Sequence, residues 1–226
     1  MEKERDDTFC TPAKHSRQTK TDIHQQEIST FVFVGLTGSA LLPLNPSILE
    51  ISLLAIERSD ILLLAGQGLP RALNRLTMTF KPHRSPIPIR VMENTDLLDS
   101  SVESSHAIND EDFTIINNFI ERLPKPVCLV SYTAEIYDYK VIRKELNRLD
   151  RNINNSGLLC TSLRKAVRQF RPNLESYELN NVYRVVCKRK SEITEESAEN
   201  VVRMLTEIVS CIPGTIGWID RNFELF

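Results

Sequence analysis

Short apolar runs separated by polar turns fill the front half of this chain, and helical periodicity fills the back half. Residues 31–34, Phe-Val-Phe-Val, form a short aromatic and β-branched block, the pattern of a buried strand. Residues 48–56 predict a second strand, entered after Pro43 and Pro46. Residues 57–72 read as a loop ending in Gly66-Gln67-Gly68 and Pro70. Leu76-Thr77-Met78-Thr79-Phe80 alternates and predicts a third strand, at an edge. Pro82, Pro86 and Pro88 then break the chain, and residues 99–107 are Ser-rich and read as flexible. Residues 110–123 carry Phe113, Ile116, Phe119 and Ile120 at helical spacing.

Residues 127–130 predict a fourth, fully buried strand. Residues 139–149 predict an amphipathic helix with Val141, Ile142, Leu146 and Leu149 on one side. A short strand over 158–160, short helices over 163–170 and 179–186, and a longer helix over 198–209 complete the pattern. Three strands followed by helices alternating with short strands give an α/β fold, a mixed sheet with helices on both faces.

Length and charge narrow this picture. A chain of 226 residues suits one sizeable domain. Residues 1–28 are polar and aperiodic and read as a disordered tail, leaving residues 29–226 as the domain. The tail's Lys14-His15-Ser16-Arg17-Gln18-Thr19-Lys20 is weakly basic, a solvated run or a targeting or nucleic-acid-contacting arm. The formal net charge is −2, so any nucleic-acid contact has to come from a local basic patch. Cys10, Cys128, Cys160, Cys187 and Cys211 show no metal-ligand spacing. Four of them sit in or beside apolar or helical stretches and read as small buried hydrophobes, and the set suggests a reducing compartment. No secretory signal is visible, and no apolar stretch approaches the ~18 residues that span a membrane. An intracellular protein is expected, in cytoplasm or nucleus, without a membrane contact.

Several segments carry a resemblance. Phe31-Val32-Phe33-Val34-Gly35-Leu36-Thr37-Gly38-Ser39-Ala40-Leu41 is similar to Phe-Val-Phe-Leu-Asp-Leu-Glu-Ala-Thr-Gly-Leu, the opening motif of the three-prime repair exonucleases. Pro46 to Ile56 resembles the second strand of that family. Leu73-Asn74-Arg75-Leu76-Thr77 and Asn94-Thr95-Asp96-Leu97 echo later family stretches. Val127-Cys128-Leu129-Val130-Ser131-Tyr132-Thr133-Ala134 resembles Cys-Leu-Val-Ala-His-Asn-Gly, and Tyr137-Asp138-Tyr139 matches Tyr-Asp-Phe. Glu145-Leu146-Asn147-Arg148-Leu149 and Tyr177-Glu178-Leu179 follow in the family's order. The resemblance, to the DEDDh branch of 3′→5′ exonucleases, covers nearly the whole ordered part. It implies an RNase H-like exonuclease fold.

In that family four carboxylates surround two divalent ions ~4 Å apart, and a histidine takes the proton of the attacking water. By resemblance the first aspartate falls on Gly35 and the glutamate on Thr37. The third carboxylate is Asp138, retained. The histidine falls on Glu195 and the last aspartate on Asn200. Four of the five positions have changed. Glu195 as a base, with Glu50 or Glu199 nearby, does not restore the paired ligands of the first strand. One carboxylate among neutral neighbours cannot hold two dications against their repulsion. Each position also has a plain reading: Gly35 as a strand-end bend, Thr37 as a β-former, Asp138 as a helix N-cap.

The expected function is thus an inactive exonuclease-like protein kept for binding partner proteins or the 3′ ends of DNA or RNA, with no cofactor. An active or weakly active nuclease would use Asp138, Glu195, a substitute ligand and Mg²⁺ or Mn²⁺. A protein-only scaffold is the third reading. Arg143, Lys144 and Arg148, with Arg164, Lys165 and Arg168, are the candidate nucleic-acid contacts, the alternative being solvated helix faces. Family members pair as homodimers through an edge strand, which falls here on residues 76–80.

Overall fold

The computed structural model describes residues 27–40, 46–63, 74–83, 87–95, 97–151, 153, 157–188 and 197–226. The expected polar tail lies almost wholly outside these residues. Five long or buried strands and one short one form a single sheet in the order β3-β2-β1-β4-β5-β6. They are β1 (Thr30–Gly38), β2 (Ile48–Glu57), β3 (Asn74–Thr79), β4 (Val127–Ser131), β5 (Leu159–Ser162) and β6 (Glu224–Leu225). β1, β2 and β3 pair antiparallel, β4 runs parallel to β1, and β5 runs parallel to β4. β6 closes the far edge antiparallel to β5.

The alternation of β1 decides what lies on each side. Phe31 and Phe33 belong to one core, with Leu54, Ile56, Val130 and Leu159. Val32 and Val34 belong to the other, with Ile51, Leu53 and Leu129. The first core is covered by α6 (Leu163–Phe170), α7 (Leu179–Val186), α8 (Ala198–Cys211) and α9 (Thr215–Ile219). The second is covered by α4 (Asp110–Glu121) and α5 (Asp138–Arg148). Because both faces are buried, the central strands are continuous apolar runs, as a mixed sheet between two helical layers requires.

Three short helices stand where sequence predicts loop or flexible chain: α1 (Arg58–Leu63), α2 (Ile89–Thr95) and α3 (Asp99–Val102). Each is too short for periodicity to register. α2 starts directly after a proline whose carbonyl takes its first hydrogen bonds: the amides of Val91 and Met92 both donate to Pro88 O. β6 and α9 are likewise absent from the pattern. β6 is held by tertiary contact, with Phe226 N donating to Leu158 O at 2.9 Å and the Phe226 ring edge-on to Tyr139.

Arg58, at the start of α1, ties the sheet to the chain's last turn. Its two guanidinium nitrogens donate to the two carboxylate oxygens of Asp220 at 2.9 and 2.8 Å. Both side chains are about a fifth exposed, so the fork is only weakly screened. Arg58→Met is expected to cost about 2 kcal/mol, leaving Asp220 without its partner. The melting temperature should fall by about 4–8 °C. Arg58→Lys, which cannot make the fork, should recover less than half of that in the same thermal melt.

Candidate functional site

The end of β1 is where three elements meet. Gly35 and Thr37 share the face of Phe33, so they point toward α8. A Cβ placed on Gly35 would stand 2.1 Å from the carbonyl oxygen of Ala198 and 2.9 Å from its carbonyl carbon. Those are backbone atoms in the first turn of α8, which cannot swing aside as a side chain can. Here glycine is needed for close approach rather than for a bend. Three residues on, a Cβ at Gly38 would meet the Tyr137 hydroxyl at 2.0 Å. That hydroxyl donates to Ala40 O at 2.6 Å and pins the end of the strand.

Thr37 is buried and faces Glu50 across the β1–β2 register. Its hydroxyl donates to Glu50 Oε2 at 3.4 Å. The same oxygen accepts the backbone N–H of Ala198 at 2.7 Å. The Ser197 hydroxyl accepts from Asn200 N at 3.2 Å. Glu50 and Ser197 between them satisfy two of the first N–H groups of α8, and the carboxylate lies at the positive end of the helix. Glu199 turns the other way and pairs with Arg75 of β3. Glu195 lies outside the described residues.

Asp138 is the first residue of α5, and Tyr137 holds the cap position. The N-cap reading of Asp138 is therefore corrected: its side chain turns back to the strand instead. Asp138 Oδ2 accepts from the Ser131 hydroxyl and, at 2.8 Å, from the Thr133 hydroxyl. Ser131 in turn accepts from Ala134 N at 3.2 Å. Burial raises the carboxyl above its ordinary pKa, and the hydroxyl and backbone hydrogen bonds pull the other way. Ser131 and Thr133 are the residues that sequence reasoning passed over; their hydroxyl chemistry, seven and five places before an aspartate, is the visible signal.

The six basic candidates do not form one stripe. Arg143 stacks its guanidinium on Phe226, 4.8 Å from the ring centre. Arg148 donates to the buried Glu145 at 2.7 Å and to Ile108 O at 2.8 Å, on the far side of α5. Lys144 is half-buried on the same helix. Lys165 pairs with Glu135. Arg168 lies over Tyr177, 5.2 Å from the ring centre, and Arg164 enters a groove beside it.

This groove, about 640 Å³, adjoins Asp138. Leu36, Ile136, Leu179 and Val201 supply apolar wall, and Tyr132, Tyr137 and Tyr177 supply rings. Glu178 and Asn180 lie at the start of α7. Among the described residues no three His, Cys, Asp or Glu side chains are grouped to hold a metal ion. Also among the described residues, no helix is long and apolar enough to cross a membrane.

No family model matches the chain. Curated relatives do. Three prime repair exonuclease 2 of Mus musculus is 25% identical over 209 residues, spanning 85% of this chain and 88% of the relative. Three-prime repair exonuclease 1 of Bos taurus is 25% identical over 218 residues, spanning 88% of this chain and 69% of the relative. Among solved structures, the nuclease domain of 3′hExo, a DEDDh family member bound to rAMP, superposes with a TM-score of 0.60 at 8% identity. It covers 80% of this chain and 92% of that one. Exonuclease I of E. coli, in its zinc-bound complex with single-stranded DNA, gives 0.61 at 15% identity, across 82% of this chain and 40% of that one. The sheet is the RNase H-like exonuclease fold, and the three-prime repair exonucleases are relatives of this chain over most of its length.

Proposed function

We propose that this relative of the three-prime repair exonucleases has lost hydrolysis and keeps the cleft as a binding site for nucleic-acid 3′ ends. The observation that carries the reading is the contact between Gly35 and Ala198. A carboxylate at position 35 has no room, because α8 has closed onto the strand. The remaining groups do not fit a pair of divalent ions. Thr37 offers a hydroxyl already given to Glu50, and Glu50 is held by the helix. Asp138 is occupied by two hydroxyls. One buried carboxylate leaves two closely spaced dications without charge compensation. By the family resemblance, Asn200 puts a neutral amide where the last aspartate is expected. In multi-residue catalytic units the first loss removes most of the rate, so partial retention counts for little.

The binding half of the reading rests on the groove beside Asp138 and on what the structural neighbours hold: single-stranded DNA in exonuclease I, rAMP in 3′hExo. None of the described cysteines is in a disulfide, which suits a reducing, intracellular compartment. The test is direct. Purified protein with Mg²⁺ or Mn²⁺ should release no nucleotide from 3′-labelled single- or double-stranded DNA. A labelled single strand should bind, with affinity falling steeply as salt rises. Digestion that disappears in Asp138→Ala would overturn the inactive reading. Capture of a protein, with no oligonucleotide bound at low salt, would replace it with the scaffold reading.

β3 supports an assembly prediction. It is the sheet edge, and its residues alternate half-buried with exposed, so its outward backbone groups have no strand beyond them among the described residues. Such an edge is a template for pairing with a second copy. Light scattering should give a mass near twice the 25.9 kDa chain. Thr77→Pro is expected to turn that dimer into a monomer; a monomer without the substitution would refute the pairing.

A further inference from the structure

The groove's polar equipment differs from that of a metal-dependent site. Arg164 lies on α6 and lines the groove with Tyr132, Tyr177 and Asn180. Its Nε is buried and has no hydrogen-bond partner among the described residues. A nitrogen enclosed in this way is closed to a phosphate, so a ligand in the groove can reach this guanidinium only at its terminal nitrogens. The tyrosine O–H groups already donate within the fold. Tyr132 donates its hydroxyl to Tyr177 O at 2.8 Å, Tyr177 donates to Arg171 O at 2.8 Å, and Tyr137 donates to Ala40 O. Their hydroxyls are committed, so the rings present faces and edges.

A second guanidinium, Arg168, lies over Tyr177 and adds to the positive field. The field of both arginines acts on the Tyr132 hydroxyl, lowering its pKa against the stronger effect of burial. Two carboxylates face the same groove. Glu178 is exposed at its rim, and Asp138 is turned to Ser131 and Thr133. The opposite wall is aliphatic, and Ile136 stands 61% exposed on it. A fork of N–H donors at one end and an apolar wall at the other suit a ligand with a phosphate and a flat base. The volume lies within the range of small-molecule sites.

We propose that Arg164 anchors the phosphate of a terminal nucleotide in this groove directly, so that the site takes its ligand without a divalent metal. The inference rests on the binding reading above and adds to it the residue and the metal independence. It follows that the charge once neutralised by metal ions is met here by a guanidinium on α6.

The probe is adenosine 5′-monophosphate, titrated calorimetrically into the full chain in EDTA and again in Mg²⁺. Binding should be measurable in EDTA and should not tighten in Mg²⁺. Adenosine, lacking the phosphate, should bind about tenfold or more weakly, and Arg164→Gln should weaken the nucleotide by a similar factor. Arg164→Lys keeps the charge but not the fork and should fall between the two. Arg90→Gln, exposed on α2, should change nothing. Each variant's thermal melt is compared first, so that loss of fold is not read as loss of contact. Unchanged affinity in folded Arg164→Gln, binding that requires Mg²⁺, or no nucleotide binding at all would each overturn the proposal. A 3′-ended oligonucleotide measured alongside separates the two levels. If it binds and Arg164→Gln leaves it unaffected, the anchor is wrong and the binding reading stands. If neither ligand binds, both fall.

Discussion

Placing carboxylates at positions 35 and 37 should destabilise the fold rather than create a metal site. Gly35→Asp, alone or with Thr37→Glu, is expected to lower stability by about 3 kcal/mol, the upper part of the range for overpacking a filled core. For a chain of this size that is a fall in melting temperature of about 6–12 °C. The cause is the 2.1 Å separation between a Cβ at position 35 and Ala198 O. Relief requires the first turn of α8 to back away from β1. That movement breaks the Ala198 N–H bond to Glu50 and disturbs the core under Val202 and Leu205, which are buried against Phe31 and Phe33. Gly35→Ala isolates the steric part and should cause most of the same loss, since the clash is at Cβ. The double variant should show no metal-dependent digestion. A stable Gly35→Asp/Thr37→Glu protein that degrades DNA in Mg²⁺ would show that the helix yields easily and that only the two side chains had been lost.

The sheet was legible because its strands are buried on both faces. Phe31 to Val34 and Val127 to Val130 are unbroken apolar runs, and α4, α5 and α8 carry apolar residues at helical spacing. What escaped is held by contacts distant in sequence. β6 exists because Phe226 reaches Leu158 and Tyr139. α1 packs one buried residue, Ile61, too little for a period to show. At the site, the family resemblance put two carboxylate positions on Gly35 and Thr37. It did not reveal that Ala198 fills the space, because Gly35 and Ala198 are far apart in the chain and meet only when α8 docks. The same holds for Arg164 and Arg148. Both sit on helices that look evenly basic, yet one lines a groove and the other is spent on Glu145 and Ile108.

Asp138 gives the fold a pH dependence of stability in the acid range. Its folded pKa is raised, first by burial, with Ser131 and Thr133 opposing. The sign follows from linkage: a carboxyl whose folded pKa exceeds its unfolded value is easiest to keep in the fold when protonated. Its contribution is fully present below the ordinary aspartate pKa, near 3.8. It is lost as pH rises through the higher folded value. Asp138→Asn removes the ionisation and keeps an oxygen for the two hydroxyls. Its stability relative to the unsubstituted protein should therefore improve from pH 4 toward pH 7, with a neutral or favourable effect at pH 7. Asp138→Ala does something else. It leaves the Ser131 hydroxyl, which is wholly buried, without its acceptor, and should cost about 1–3 kcal/mol. Denaturant melts of the three proteins at both pH values separate the effects. A carboxylate kept for metal binding would behave differently. Mg²⁺ would then raise the melting temperature of the unsubstituted protein and not of Asp138→Asn, and that single result would return Asp138 to the role its relatives imply.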